Sequence, residues 1–254
     1  MKNFSRIHFL TDDTGALSEF YTVLLGMAEV PDGVYGTFVY GPNSCKISFE
    51  KRDFPCYEAR NDDFYWKIGI TVKNLNSAVD FLKQQNWPVT EPRQFKDIGY
   101  LCHLCDPQGH VIELLQQGFE GREGAVPSGH PVGAHATLAH ITMRVRDIAT
   151  CRTYLEEDLK LRLMSVQPVP EYGFSLYFFS WNNESLPHPD LQAIENREWL
   201  WARPYPLLEL QYFHAAKAIR KPDLNAAGFA SLSYEDSEDK SGKSALTIDT
   251  SRLI

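Results

Sequence analysis

The sequence holds no apolar run approaching the length of a membrane span, and it opens MKNFSRIHFL with no long apolar segment of the signal type. A span needs about 20 consecutive apolar residues, so the expectation is a soluble, cytoplasmic protein without a membrane partner. Basic residues are in deficit: 25 Lys and Arg stand against 33 Asp and Glu, a net charge of −8. A nucleic-acid binder needs a basic face to displace counterions from phosphates, so no nucleic-acid partner is expected. A small anionic ligand stays open, because a few local arginines can serve it. Cysteine is scarce and odd in number, five in 254 residues. That fits free thiols in a reducing compartment and not a disulfide framework. Core-forming residues are abundant: 43% of the chain is hydrophobic and 13% aromatic, enough for one large domain or two smaller ones.

Three segments resemble one another: RIHFLTDDTGALSEFYTVLLGM from Arg6, KIGITVKNLNSAVDFLKQQ from Lys67, and HITMRVRDIATCRTYLEEDLKL from His140. Each opens with an alternating, β-branched run that reads as a strand. A polar cap follows (Asp13, Asn74 or Asp147), able to accept from the free amides of a helix start. Apolar residues then recur at helical spacing: Leu75, Ala78, Val79 and Leu82 in the second copy, and Ile148, Cys151, Tyr154 and Leu155 in the third. Strand-like runs come after each helix, among them GYLCHLC, HVIELLQ, FSLYFFSW and PLLELQYF. The unit is therefore strand, helix and three strands, an α+β module whose sheet must pair with another to bury its face and edges. The boundaries read as an N-terminal pair of modules over 1–118, a Gly- and Pro-rich linker over 119–136, and a C-terminal part over 137–254. That last part holds one full module, a truncated fourth copy opening at GFASLSYED, and a polar, mobile tail, SYEDSEDKSGKS.

Within CHLCDPQGHVIEL, Asp106-Pro107-Gln108-Gly109 is a turn signature, so one strand ends before it and another begins after it. Cys102 and Cys105 are three apart on a strand and face opposite ways, which a shared zinc would not allow. They read as small strand residues, and His103 and His110 as packing or edge residues.

With these repeats in view, the third copy resembles the first module of glyoxalase I, and the second copy, KIGITVKNL through DPQGHVIELL, resembles its second module. The chain is thereby similar to the vicinal oxygen chelate superfamily of glyoxalases, extradiol dioxygenases, epimerases and bleomycin- or fosfomycin-resistance proteins. The resemblance runs from about Ser5 to Phe213 and implies paired βαβββ modules with curved, half-barrel sheets. In that superfamily a module offers one metal ligand from its first strand and a carboxylate from its last. Alternate strand residues share a face, which places His140, Thr142 and Arg144 together, and Leu207, Glu209 and Gln211 together. His140 and Glu209 are thus implied as ligands of Zn²⁺, Ni²⁺, Mn²⁺ or Fe²⁺, with Glu113 as third ligand or as base.

Lys67 stands at the remaining first-strand position. An ammonium is no ligand at neutral pH, and an ion pair with Glu113 is expected instead. The corresponding positions are Arg6 and Ser48 in the first module, with His8 on the Arg6 face, and Ser231 in the fourth copy. Either His140, Glu209 and Glu113 meet within one chain, or two third modules pair across the twofold axis of a homodimer.

The activity so implied is that of a divalent-metal-dependent lyase or isomerase, with Glu113 and Glu209 as catalytic carboxylates. Its substrate would be small and oxygen-rich, of the α-keto or hemithioacetal kind, a thiol conjugate among the candidates. Arg144 would anchor an anionic group. Trp199, Trp201 and Tyr205, in REWLWARPYP, would wall the pocket, the two tryptophans sharing a face if the segment is extended. Against glyoxalase I itself stand Lys67, the incomplete fourth module, and Phe213 where that enzyme's motif carries asparagine. Two rivals remain. One is a metal-free sequestering protein of the bleomycin-resistance kind. The other is an extradiol dioxygenase, which needs two histidines and a glutamate; no second histidine sits at the corresponding place, and loop-borne His188 reads as surface.

Overall fold

The computed structural model describes residues 2–32, 36–54, 57–215, 218–236 and 245–254. Module one comprises β1 (Lys2–Thr11), α1 (Gly15–Glu19), β2 (Ala28–Glu29), β3 (Thr37–Val39) and β4 (Lys46–Lys51). Module two comprises β5 (Tyr65–Val72), α2 (Leu75–Gln84), β6 (Arg93–Phe95), β7 (Gly99–Cys105) and β8 (Val111–Gln116). Module three comprises β9 (Thr137–Val145), α3 (Ile148–Arg152), β10 (Arg162–Val169), β11 (Phe174–Ser180), an inserted α4 (Glu195–Trp201) and β12 (Leu207–Phe213). Strands β13 (Gly228–Asp236) and β14 (Leu246–Thr247) complete the order.

The helices start where short polar side chains satisfy their first amides. Asn74 accepts from the Ser77 amide at 2.9 Å, and Asp147 from the Thr150 amide at 3.0 Å. In module one Asp13 lies one residue further out, accepting from the Gly15 amide at 2.8 Å while Thr14 holds the cap position. The apolar stripe of α2 (Leu75, Ala78, Val79 and Leu82) is wholly buried against its sheet. The first and third helices widen into five-residue-spaced turns over Phe20–Leu24 and Thr153–Asp158.

In every module the first strand lies parallel to the last: β1 beside β4, β5 beside β8, β9 beside β12. The modules then pair first strand to first strand, antiparallel. Strand β5 joins β9 in an eight-stranded sheet of order β10-β11-β12-β9-β5-β8-β7-β6. Strand β1 joins β13 in a six-stranded sheet of order β14-β13-β1-β4-β3-β2. The sheets therefore group module two with module three across segment 119–136, and module one with the fragmentary fourth copy. Pairing β5 with β9 within one chain also removes the need for a symmetry mate to complete the third module's sheet.

An aromatic seam holds the two sheets together: Tyr65 stacks on Phe229 at 5.3 Å, and Phe9 lies 5.2 Å from Tyr65 and 4.5 Å from His110. His110 is fully buried, held at Nδ1 by Asp106 at 3.0 Å, and serves packing as expected. Asp106 also bonds back to the Gln108 and His110 amides at 2.9 Å, and Gly109 takes a left-handed φ of 88° to close the turn. The expectation of a mobile tail falls on residues 237–244, which lie outside the described residues, while Ser233–Asp236 continue β13. Beyond them the chain returns to the core, with Ile248 and Leu253 buried.

Candidate ligand site

Strand register assembles the site. Glu113 of β8 lies beside Gly69 of β5, Gly69 faces His140 of β9, and Thr142 lies beside Glu209 of β12. With a two-residue side-chain period, Lys67, Glu113, His140 and Glu209 then project from four adjacent strands onto one concave face. His140 Nε2 is 3.3 Å from Glu113 Oε1 and 3.3 Å from Glu209 Oε2. Lys67 Nζ makes a close ion pair with Glu113 Oε2, and His103 Nε2 lies 3.1 Å from the same oxygen. Thr142 Oγ1 donates to Glu209 Oε2 at 3.0 Å. All except half-buried His103 are below a tenth exposed.

Gly69 makes this convergence possible. A Cβ there would fall 2.0 Å from His140 Cε1, so only glycine lets the imidazole lie across the β5–β9 seam. Burial works to raise the Glu113 carboxyl. The Lys67 ammonium, His103 and His140 together outweigh that burial and hold the carboxyl well below its usual range. Glu113 is thus a carboxylate at neutral pH. Three polar atoms at the centre, both ring nitrogens of His140 and Oε1 of Glu209, have no hydrogen-bond partner among the described residues.

Four of these groups, Lys67, His103, Glu113 and Glu209, floor a cavity of about 220 Å³ with walls that include Trp66, Phe95, Leu115, Leu176, Phe178 and Trp201, while His140 and Thr142 are buried outside its lining. A few convergent polar groups at the end of an apolar cleft is the usual form of a small-molecule site. Arg93, also on the lining, makes no ion pair among the described residues.

Of the residues expected at the site, His140, Glu209 and Glu113 come together and Trp201 joins the wall. The other three do not reach it. REWLWARPYP is helical through Trp201 instead of extended, so Trp199 and Trp201 point in different directions. Trp201 is buried, 6.0 Å from the His140 ring, and donates from Nε1 to Ile98 O at 2.9 Å. Trp199 instead stacks under Arg203 at 4.3 Å, and Tyr205 lies off the cavity. Arg144 shares the face but is drawn aside, donating to Arg60 O at 2.9 Å and to Gln211 at 3.3 Å. Its Nε and Nη1 donors are spent on the fold.

His103, read from the sequence as an edge residue, belongs to the floor; its place opposite Glu113 in the β7–β8 register was the available signal. Trp66, Phe95, Leu176 and Phe178 were not anticipated. Cys102 is buried, its thiol pushed up to about 12 by that burial, while Cys105 is exposed on the other face. Both stand apart from the floor.

The donor set can be weighed against a divalent metal. Two ligands of one first-row cation, with bonds of about 2.1 Å, lie roughly 3.0–3.4 Å apart, and the spacings around His140 match that. Lys67 does not, because its ammonium occupies the fourth position and takes up one oxygen of Glu113. Among the described residues no group of three or more His, Cys, Asp or Glu is arranged to hold a metal ion. As arranged, with Lys67 bound to Glu113, the site does not fit one.

The paired βαβββ modules and the curled eight-stranded sheet match the glyoxalase-like fold. Among solved structures, the chain resembles glyoxalase I from Zea mays with a TM-score of 0.63 and 17% identity, over 92% of this chain and 74% of that one. A single-site glutamate-to-glutamine mutant of the maize enzyme gives 0.60 and 18%, over 85% and 70%. A Bacillus subtilis protein described as a "putative dioxygenase" gives 0.59 and 14%, over 93% and 71%. Likeness at these identities carries the fold and nothing finer. No family model and no curated protein sequence matches the chain. No helix among the described residues is long and apolar enough to cross a membrane.

Proposed function

We propose that the cavity binds a small molecule with an apolar or aromatic body and an oxygen-bearing head, and that Glu209 moves a proton on that head. The observation that carries the reading is the meeting of Lys67, Glu113 and Glu209 at the floor of an aromatic-walled cavity, with His140 buried against both carboxylates. Glu209 keeps one oxygen unpaired there, while Thr142 orients the other. A buried carboxylate with a free lone pair is placed to abstract a proton beside a carbonyl, the step shared by isomerases and lyases of α-keto or hemithioacetal compounds. Arg93 suits an acidic tail on the ligand, a thiol conjugate included.

The test uses phenylpyruvate and the glutathione hemithioacetal of phenylglyoxal as probes. At least one should quench the fluorescence of Trp66 and Trp201 saturably and exchange its carbon-bound proton with deuterium oxide by NMR. Glu209→Gln should slow exchange about 10²–10⁴-fold and leave quenching in place. Absence of quenching by either probe defeats the reading. Binding without exchange favours the sequestering alternative, which the aromatic wall supports. The metal-dependent alternative has His140, Glu209 and Glu113 closing on Zn²⁺, Ni²⁺, Mn²⁺ or Fe²⁺, and requires Lys67 to release Glu113. Mass-spectrometric metal analysis of protein purified without chelator or tag decides it.

A further inference from the structure

We propose that Lys67 is a cation built into the chain at the fourth ligand position, supplying Glu113 with the positive charge a divalent ion would bring and excluding that ion from the site. The inference rests on the reading of this cavity as the ligand site, and its experiment is independent of any ligand.

Modules two and three contribute to the floor by the same rule. Lys67 pairs with Thr142 and Gly69 with His140 across the β5–β9 seam, while Glu113 lies beside Gly69 and Glu209 beside Thr142. Each module therefore gives one residue from its first strand and one carboxylate from its last. Three of the four have ligating chemistry, and the fourth is an ammonium. Lys67 is only 4% exposed, and an ammonium so placed persists only if it is paired. Two groups hold it: the Glu113 carboxylate, and the Trp66 ring with Nζ 4.3 Å from its centroid. An incoming divalent ion would have to compete with the ammonium for Glu113 and sit beside a like charge where little water screens it.

Module one offers an independent instance. The residue at the same point of β1 is Arg6, which pairs with Asp32, a carboxylate also held by Lys46 at 3.0 Å. A cation bound to a carboxylate thus stands at this first-strand position in both complete modules that lack a histidine there, the carboxylate coming from β8 in module two and from the segment before β3 in module one.

The experiment compares the full chain with Lys67→His and Lys67→Gln, each checked for folding by circular dichroism. Each is incubated with Co²⁺ or Zn²⁺, gel-filtered without chelator, and analysed for metal, thermal midpoint and cobalt absorption bands. The unchanged chain should emerge with far less than one ion and a midpoint unmoved by metal. Lys67→His should hold about one ion per chain, with tetrahedral or five-coordinate cobalt bands and a metal-dependent rise in midpoint. If Lys67→His fails to fold, Lys67→Gln decides, since it removes the ammonium and leaves three donors. A full equivalent of ion on the unchanged chain overturns the proposal. So does a folded Lys67→His, or in its place a folded Lys67→Gln, that stays as metal-free as the original. Fluorescence quenching by phenylpyruvate, run beside it, reports on the ligand site separately and can fail while the metal result stands.

Discussion

Glu113 is held by opposing forces whose balance is specific to this sequence. Burial alone would favour its neutral form, yet Lys67 together with His103 and His140 keeps it ionised, and the side chains of Lys67 and Glu113 are both 6% exposed. Breaking such a pair leaves a buried charge without a partner, at a cost of about 3–5 kcal/mol. Glu113→Gln should therefore lower stability by that order at pH 7, read from the denaturant midpoint. The pH dependence carries a definite sign. A carboxyl depressed in the folded state contributes its stability fully above its unfolded value of about 4.3. That contribution is lost as pH falls through the folded value. The gap in stability between the two proteins should be widest near neutrality and narrow in acid below about pH 4; a gap that stays constant with pH would refute the assignment. Arg144 shows the opposite outcome at the same scale. Its position on the strand was legible, but the carbonyls that claim it, Arg60 and Asp63, arrive from the segment before β5. No local pattern in HITMRVRD signals them.

Among the elements, α4 is the one that the sequence concealed. The pocket wall of Trp199 and Trp201 held only for an extended segment, and the prolines Pro204 and Pro206 lie beyond the end of the helix. Yet Glu195 and Glu198 occupy its first turn, where carboxylates favour a helix start. The helix reaches across from module three to module two. Trp201 donates to Ile98 O at 2.9 Å, Arg197 to Asp97 O at 2.7 Å, and Glu198 accepts from the Phe119 amide at 2.8 Å. It thus clamps the β6–β7 turn over the cavity. Trp201→Phe keeps an aromatic wall but removes the donor, stranding a buried carbonyl at a cost of about 1–3 kcal/mol. The thermal midpoint should drop accordingly, and hydrogen exchange should quicken at residues 95–99 before it does in β9; uniform exchange would deny the clamp. By contrast the first strand of each module, together with β7, β8, β11 and β12, and α2 with its Asn74 cap were legible, because a period of two and a period of 3.6 are local signals. The wall of the cavity was not. Phe95 comes from β6 and Leu176 and Phe178 from β11, and only the register of the sheet brings them to Trp66 of β5.

For the whole molecule, the pairing of modules decides where the site lies. The repeats could be counted along the chain, but which first strand meets which depends on edges that carry no distinguishing residues. Chain order suggests one with two; the sheets join two with three and one with the fourth fragment. Because the fragment is short, the six-stranded sheet depends on the C-terminal residues beyond β13. β14 pairs with β13, Ile248 and Leu253 are buried, Leu253 O accepts from Cys151 Sγ at 3.3 Å, and the Asp249 amide donates to Tyr154 at 2.9 Å. Residues 246–254 therefore connect the edge of the first sheet to the helix of module three, where a complete fourth module would have had its own helix and strands. Each buried aliphatic side chain contributes about 1.5–3 kcal/mol. Deleting 245–254 should cost roughly 3–5 kcal/mol on that basis and loosen β13 and β1 first, while β5, β8, β9 and β12 keep their protection in hydrogen exchange. Probe quenching of Trp66 and Trp201 should then survive at temperatures where the six-stranded sheet has begun to open. Simultaneous loss of both would mean that the two sheets unfold as a single unit.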